Sequence, residues 1–277
     1  MKALKVLLLA ALLPCSALAS ERNDLPSCYD RAKLPELKQP ASGRELVVVV
    51  DQTIPMPTDI QKASWGQVSR FVQPGDSVKL YSFSAFVPGE YLRLIYSGTL
   101  DTAASEELRD DASTRKLRLL DQCLTQQKKA FESGFGAQFV KTLREARQDI
   151  PKSEIMSALR KVGEDMKATA NAKEHVILLI SDMLEHSDYT SFYAANQIKA
   201  VNVAEEMKKA QQHELFADLG GARVYVAGAG LITDGIKQSY RSGKTMDALN
   251  QFWGDYFKHS NAQLEAFGTP SLSVDLN

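Results

Sequence analysis

The chain has 277 residues, 44% of them hydrophobic and 24% charged, with a formal net charge of −1. That balance is ordinary for a globular protein and lacks the basic surplus of a nucleic-acid binder, so no nucleic-acid partner is expected. Beyond the N-terminal segment no stretch reaches the about 18 apolar residues that a membrane-spanning helix needs, so no transmembrane segment is expected after that segment is removed.

In chain order, Lys2 and Lys5 precede an apolar run from Val6 to Leu13, and Ala17-Leu18-Ala19 stands before Ser20. Positive start, short apolar run and small-x-small pattern predict a signal peptide over residues 1–19 and a periplasmic or secreted product. A buried N-terminal helix, or lipoprotein processing at Cys15, are the alternatives. Cleavage leaves Cys28 and Cys123, and an even pair in an oxidising compartment points to one disulfide, with two free buried thiols as the other reading. Residues 20–44, broken by Pro26, Pro35 and Pro40, read as an irregular lead-in.

The main domain is expected over 45–277. Glu45 to Asp51 holds five consecutive apolar residues ending at a carboxylate, the pattern of a strand buried on both faces of a parallel sheet. Asp59 is placed to cap a helix through about Phe71, with Trp65 and Val68 inward. Ser77 to Phe83 and Tyr91 to Tyr96 read as strands, paired antiparallel around Pro88-Gly89. Residues 101–150 read as a helical insertion of two helices broken at Gly134-Phe135-Gly136, either a solvated hairpin or a lobe that binds a partner. Ser153 is placed to cap a helix to about Ala172. His175 to Ile180 is a second buried strand, ending at Ser181-Asp182. A helix from about Ala194 to Gln212 follows, then a strand at Arg223 to Ala227, a helix capped by Thr245 and running to about Phe257, and a last strand at Leu264 to Phe267. Strands alternating with helices predict an α/β fold with a doubly wound, mostly parallel sheet flanked by helices.

In such sheets ligands bind beyond the carboxyl ends of the strands. Asp51 and Asp182 both stand at strand ends. Two carboxylates facing each other there repel, which raises a pKa or recruits a cation. With the hydroxyls of Thr53 and Ser153 they make an oxygen-only set that suits Mg²⁺, Mn²⁺ or Ca²⁺. The alternative is that both acids are structural, held by backbone N–H groups or a lysine.

Val47-Val48-Val49-Val50-Asp51-Gln52-Thr53 resembles the opening of von Willebrand factor A domains, and Leu178 to Glu185 resembles their fourth-strand segment, over roughly residues 45–270. The resemblance implies a metal-ion-dependent adhesion site, which begins Asp-x-Ser-x-Ser and adds a threonine and a later aspartate. Asp51 and Thr53 match its first two positions, Ser153 the loop threonine and Asp182 the later aspartate. Pro55 stands at the second serine and brings no ligand atom. The implied function is binding of another envelope or secreted protein, with the cation engaging a partner carboxylate. Asp51-Gln52-Thr53 also resembles the start of haloacid dehalogenase-type phosphotransferases, with Asp51 as nucleophile and the Ser181-Asp182 to Asp188 segment holding Mg²⁺, although Thr53 replaces their second acid. A metal-free scaffold is the third reading.

Overall fold

A computed structural model of the chain describes residues 22–84, 91–147, 152–168, 172–194, 197–231 and 243–277. The expected signal peptide, Cys15 and the Pro88-Gly89 turn lie outside these residues.

Eight strands are described. Six form one sheet, made of β1 (Arg44–Asp51), β2 (Ser77–Phe83), β3 (Leu92–Thr99), β4 (Glu174–Ile180), β7 (Ala222–Ala227) and β8 (Ala262–Phe267), in the order β3-β2-β1-β4-β7-β8. The short β5 (Tyr193–Ala194) and β6 (Gln197–Ile198) pair with each other. All neighbours in the large sheet run parallel except the edge pair β2–β3. This is the doubly wound, mostly parallel sheet expected, and its direction of winding reverses between β1 and β4. The continuous apolar runs of those two strands are explained by their burial. Alternate residues enter two separate cores, Val47, Val49, Ile177 and Leu179 on one face and Leu46, Val48, Val176 and Leu178 on the other.

The first core is closed by α5 (Ile155–Ala168), α6 (Val203–Gln212) and α7 (Gly243–His259). Leu249, Phe252, Trp253 and Tyr256 of α7 are buried as their spacing predicts. The second core is closed by α2 (Thr58–Phe71) and α4 (Thr114–Arg144). The lead-in is more ordered than its prolines suggest. It holds α1 (Cys28–Ala32) and a 3₁₀ turn at Pro35–Leu37, packed with Leu120 of α4 in a third, smaller cluster. The expected Cys28–Cys123 disulfide ties α1 to α4.

Several local expectations are corrected. The two helices around Gly134-Phe135-Gly136 are one helix of 31 residues, preceded by the short α3 (Glu106–Arg109). Glycine costs a helix about 1 kcal/mol, but here packing overrides it. A Cβ on Gly136 would stand 3.2 Å from the Trp65 ring, so the glycine lets that ring lie against the helix. Asp59 falls inside the first turn of α2, which starts after Pro57 without a side-chain cap, and Thr245 likewise falls inside α7. The helix expected from Ala194 begins only at Val203, where Asn202 accepts the N–H of Glu205. The residues before it form the β5–β6 hairpin instead.

The second core contains an aromatic column. Phe135, fully buried, stands 5.1 Å from Phe131, 5.3 Å from Tyr96 and 6.2 Å from Trp65, ring centre to ring centre. Phe135→Ala is therefore expected to cost about 4 kcal/mol, read as a lower midpoint in denaturant unfolding. A loss below about 1 kcal/mol would show that α4 is not part of the cooperative core.

Candidate functional site

The register of β1 and β4 sets the site. Val50 pairs with Ile180, so Asp51 and Ser181 leave the sheet side by side at its carboxyl rim, where the winding reverses. Asp51 is fully buried. Its Oδ1 accepts the Thr53 N–H (2.9 Å) and the Thr53 hydroxyl (2.6 Å). Its Oδ2 accepts the hydroxyls of Ser153 (3.0 Å) and Ser181 (2.8 Å). Asp182 follows, 2% exposed, with Oδ1 accepting the Leu184 N–H (2.9 Å) and Oδ2 accepting the Tyr193 hydroxyl (2.5 Å).

Three elements hold the Asp182 turn. Met183 has a left-handed φ of 61°, a conformation costing a non-glycine residue roughly 1 kcal/mol. It is held there by the Ser181 hydroxyl, which accepts the Met183 N–H (3.0 Å), and by the Trp253 indole N–H, which donates to the Met183 carbonyl (2.9 Å). Gly228, at φ 101°, brings the turn after β7 against the same segment. A Cβ there would stand 3.0 Å from the Ser181 carbonyl, and the Gly230 N–H donates to the Asp182 carbonyl.

Ser153 does not cap α5. Its hydroxyl serves Asp51, while the Glu185 carboxylate accepts the Met156 N–H (3.0 Å) at the start of that helix. Backbone bonds between Ser153 and His186 then stitch the α5 entrance to the segment after β4.

The rim is short of charge compensation. Burial pushes the Asp182 carboxyl up to about 8, and the nearby charge of Asp51 pushes in the same direction. Burial also raises Asp51, against the four hydrogen bonds that favour its charged form. Glu185 is pushed up to about 8, again by burial first.

An oxygen-ligated cation fits this donor set. Each hydroxyl gives its proton to Asp51 and keeps oxygen lone pairs for a ligand. Two buried carboxyls, able to ionise once a cation is present, complete an oxygen-only set. Among the described residues no group of three or more His, Cys, Asp or Glu side chains gathers that could hold a metal ion, so any cation here would rest on two carboxyls and the hydroxyls. Asp51, Thr53, Ser153 and Asp182, singled out from sequence, thus come together at one rim. Pro55 is exposed and contributes nothing. Asp188 is exposed and pairs with Lys152 rather than with the buried carboxyls. Sequence reasoning took in Ser181 only under the phosphotransferase reading and left both it and Tyr193 out of the four-residue cation set. Ser181 was within reach, because in-register parallel strands place the residue before Asp182 level with Asp51. Tyr193 had no local signal.

No protein-family model matches the sequence, and no curated protein matches it. Solved structures give remote likenesses. An aerotolerance-related membrane protein from Bacteroides fragilis is 12% identical over 81% of this chain and 92% of that one, with a TM-score of 0.37. The VWA2 paralog of ArnB from Sulfolobus acidocaldarius is 15% identical over 69% of this chain, with a TM-score of 0.30, and the pilus adhesin SpaC from Lactobacillus rhamnosus GG is 12% identical over 77%, with a TM-score of 0.38. The chain spans only 36% and 26% of the length of those last two proteins. Its own sheet order, with Asp51 and Asp182 standing at the winding reversal, makes it an α/β domain with a doubly wound, mostly parallel sheet flanked by helices.

Proposed function

We propose that this chain is an exported binding module. It holds Mg²⁺, Mn²⁺ or Ca²⁺ at Asp51, Thr53, Ser153 and Asp182, with Ser181 as a further donor, and engages a carboxylate of another envelope or secreted protein. The convergence of three hydroxyls on one buried carboxylate, beside a second, carries this reading. When bound, the cation supplies the positive charge that attracts the partner's carboxylate. The signal-like start at residues 1–19 supports export, and among the described residues no helix is long and apolar enough to cross a membrane. A metal-free scaffold is favoured by one observation: every oxygen of Asp51 and Asp182 already accepts a hydrogen bond. Nothing comparable favours phosphoryl transfer, since the Asp51 nucleophile it requires is fully buried.

Thermal melting separates these readings. A cation bound only by the folded state at a hundred times its Kd adds about 2.7 kcal/mol, a rise of roughly 5–10 °C for a chain of this size. The rise is expected with at least one of the three ions over EDTA, and is expected to vanish in Asp51→Ala. Equal melting curves in EDTA and in every ion would leave the scaffold reading.

A further inference from the structure

We infer that Tyr193 is an internal occupant of the rim, whose hydroxyl sits on the one Asp182 oxygen that a cation or its bound water would use and thereby sets the affinity of the site. The inference rests on the cation reading above and names what controls it.

Asp182 has two oxygens with different partners. Oδ1 is committed to the backbone of its own turn, through the Leu184 N–H. Oδ2 accepts, among the described residues, the Tyr193 hydroxyl alone, at 2.5 Å. A phenol donating to a buried carboxyl does what an ion's water shell would do there, so the two compete for the same atom.

The segment carrying Tyr193 is built to hold this contact and to release it. Its neighbour Phe192 is the fixed point. It is 1% exposed, packed 5.0 Å from the Phe252 ring, and its N–H donates to the Glu185 carbonyl (2.8 Å). Tyr193 itself is only half-buried. It begins a hairpin of two residues on each strand, β5 with β6, and isolated pairs of that size are marginal in water. Among the described residues its ring has one aromatic neighbour, His186, edge-on at 6.2 Å. Swinging the phenol away breaks its hydrogen bond to Asp182, the edge contact with His186 and the ring's packing on the first core, while the Phe192 anchor belongs to the neighbouring residue. The same segment reaches the other side of the site, because His186 is paired through its backbone with Ser153, whose hydroxyl holds Asp51. Displacement of the hairpin is thereby transmitted to a second ligand residue.

The test is direct Mn²⁺ binding, followed by electron paramagnetic resonance, to the wild-type chain, Tyr193→Phe and the double variant Asp51→Ala/Tyr193→Phe. Tyr193→Phe keeps the ring and removes the hydroxyl. Losing one buried hydrogen bond corresponds to about a tenfold change in affinity, so Tyr193→Phe is expected to bind Mn²⁺ about tenfold more tightly, and the double variant not at all. In the wild type, saturating Mn²⁺ is expected to change the tyrosine near-ultraviolet spectrum, and Tyr193→Phe is expected to lose that signal. Tyr193→Leu serves as a second hydroxyl-free variant if the phenylalanine protein does not fold. Equal Mn²⁺ affinity in wild type and variant overturns the role of Tyr193 while leaving the cation site standing. Binding by none of the three proteins overturns both.

Discussion

Loss of the Cys28–Cys123 disulfide is expected to lower the melting temperature by about 10 °C. The bond joins residues 95 apart in sequence, and closing a loop of that length restricts the unfolded chain by about 4 kcal/mol; each kcal/mol moves the midpoint of a chain this size by about 2–4 °C. The folded side agrees. Apart from the disulfide, α1 is held by a small cluster containing Tyr29, Leu34, Leu37 and Leu120, by the Tyr29 hydroxyl on the Thr102 carbonyl, and by Asp101, which accepts the Cys28 N–H. That is little apolar area to order a segment of this length, so without the covalent tie the lead-in is expected to detach from α4 before the sheet melts. Cys28→Ser/Cys123→Ser, compared with the oxidised wild type, checks this by calorimetry. An unchanged midpoint, with thiol titration confirming that the wild type is oxidised, would show that the bond contributes nothing to stability.

The second large effect is on pH dependence in chelator. Asp182 and Glu185 are both pushed up to about 8, and Asp51 is raised too. In the unfolded chain these carboxyls titrate near pH 4. Above that pH the folded state holds protons that the unfolded state has released, so their contribution is complete below the ordinary carboxylate range and is lost as pH rises toward 8. Melting temperature in EDTA is therefore expected to fall between pH 5 and pH 8. Asp182→Asn keeps the shape of the side chain and removes the titration. It is expected to flatten that slope and to be more stable than wild type at pH 8 by about 2 kcal/mol. A saturating cation is expected to reverse the slope, because it binds the deprotonated carboxyls. Other groups act in a different window. Glu45, despite its burial, is held low by His175 and Lys79, and Asp218 is held near 2 by Lys167 and Asn261. Their contribution is present above the carboxylate range and is lost only as pH falls below about 4. Stability that stays level or rises from pH 5 to pH 8 in EDTA would mean the rim carboxyls are solvated.

Much of this architecture was legible in the sequence, and the failures share a cause. Runs such as Val47 to Val50 and Val176 to Ile180 admit one reading, a strand covered on both faces. The aromatic spacing from Leu249 to Tyr256 marked one buried helix face. Gly134 and Gly136 misled because glycine is a local signal. The rings of Trp65 and Tyr96 that pack against that part of α4 come from α2 and β3. Ser153 before Glu154 looked like a helix cap, yet its hydroxyl was drawn to a carboxylate 102 residues earlier, and a glutamate from beyond β4 took over the helix end. The stretch from Ala194 looked helical, yet the anchoring of Phe192 among α7 aromatics set a hairpin there.

The sequence by itself determined the central parallel strands and the two aspartates at their ends, because burial on both faces demands unbroken apolar runs and polar residues are tolerated only where such runs stop. The tertiary structure alone decided which hydroxyls serve Asp51 and that Tyr193 seats itself on Asp182. Those contacts follow from the lateral register of strands distant in sequence and from the docking of a hairpin on a core, and neither leaves a trace in the local spacing of residues.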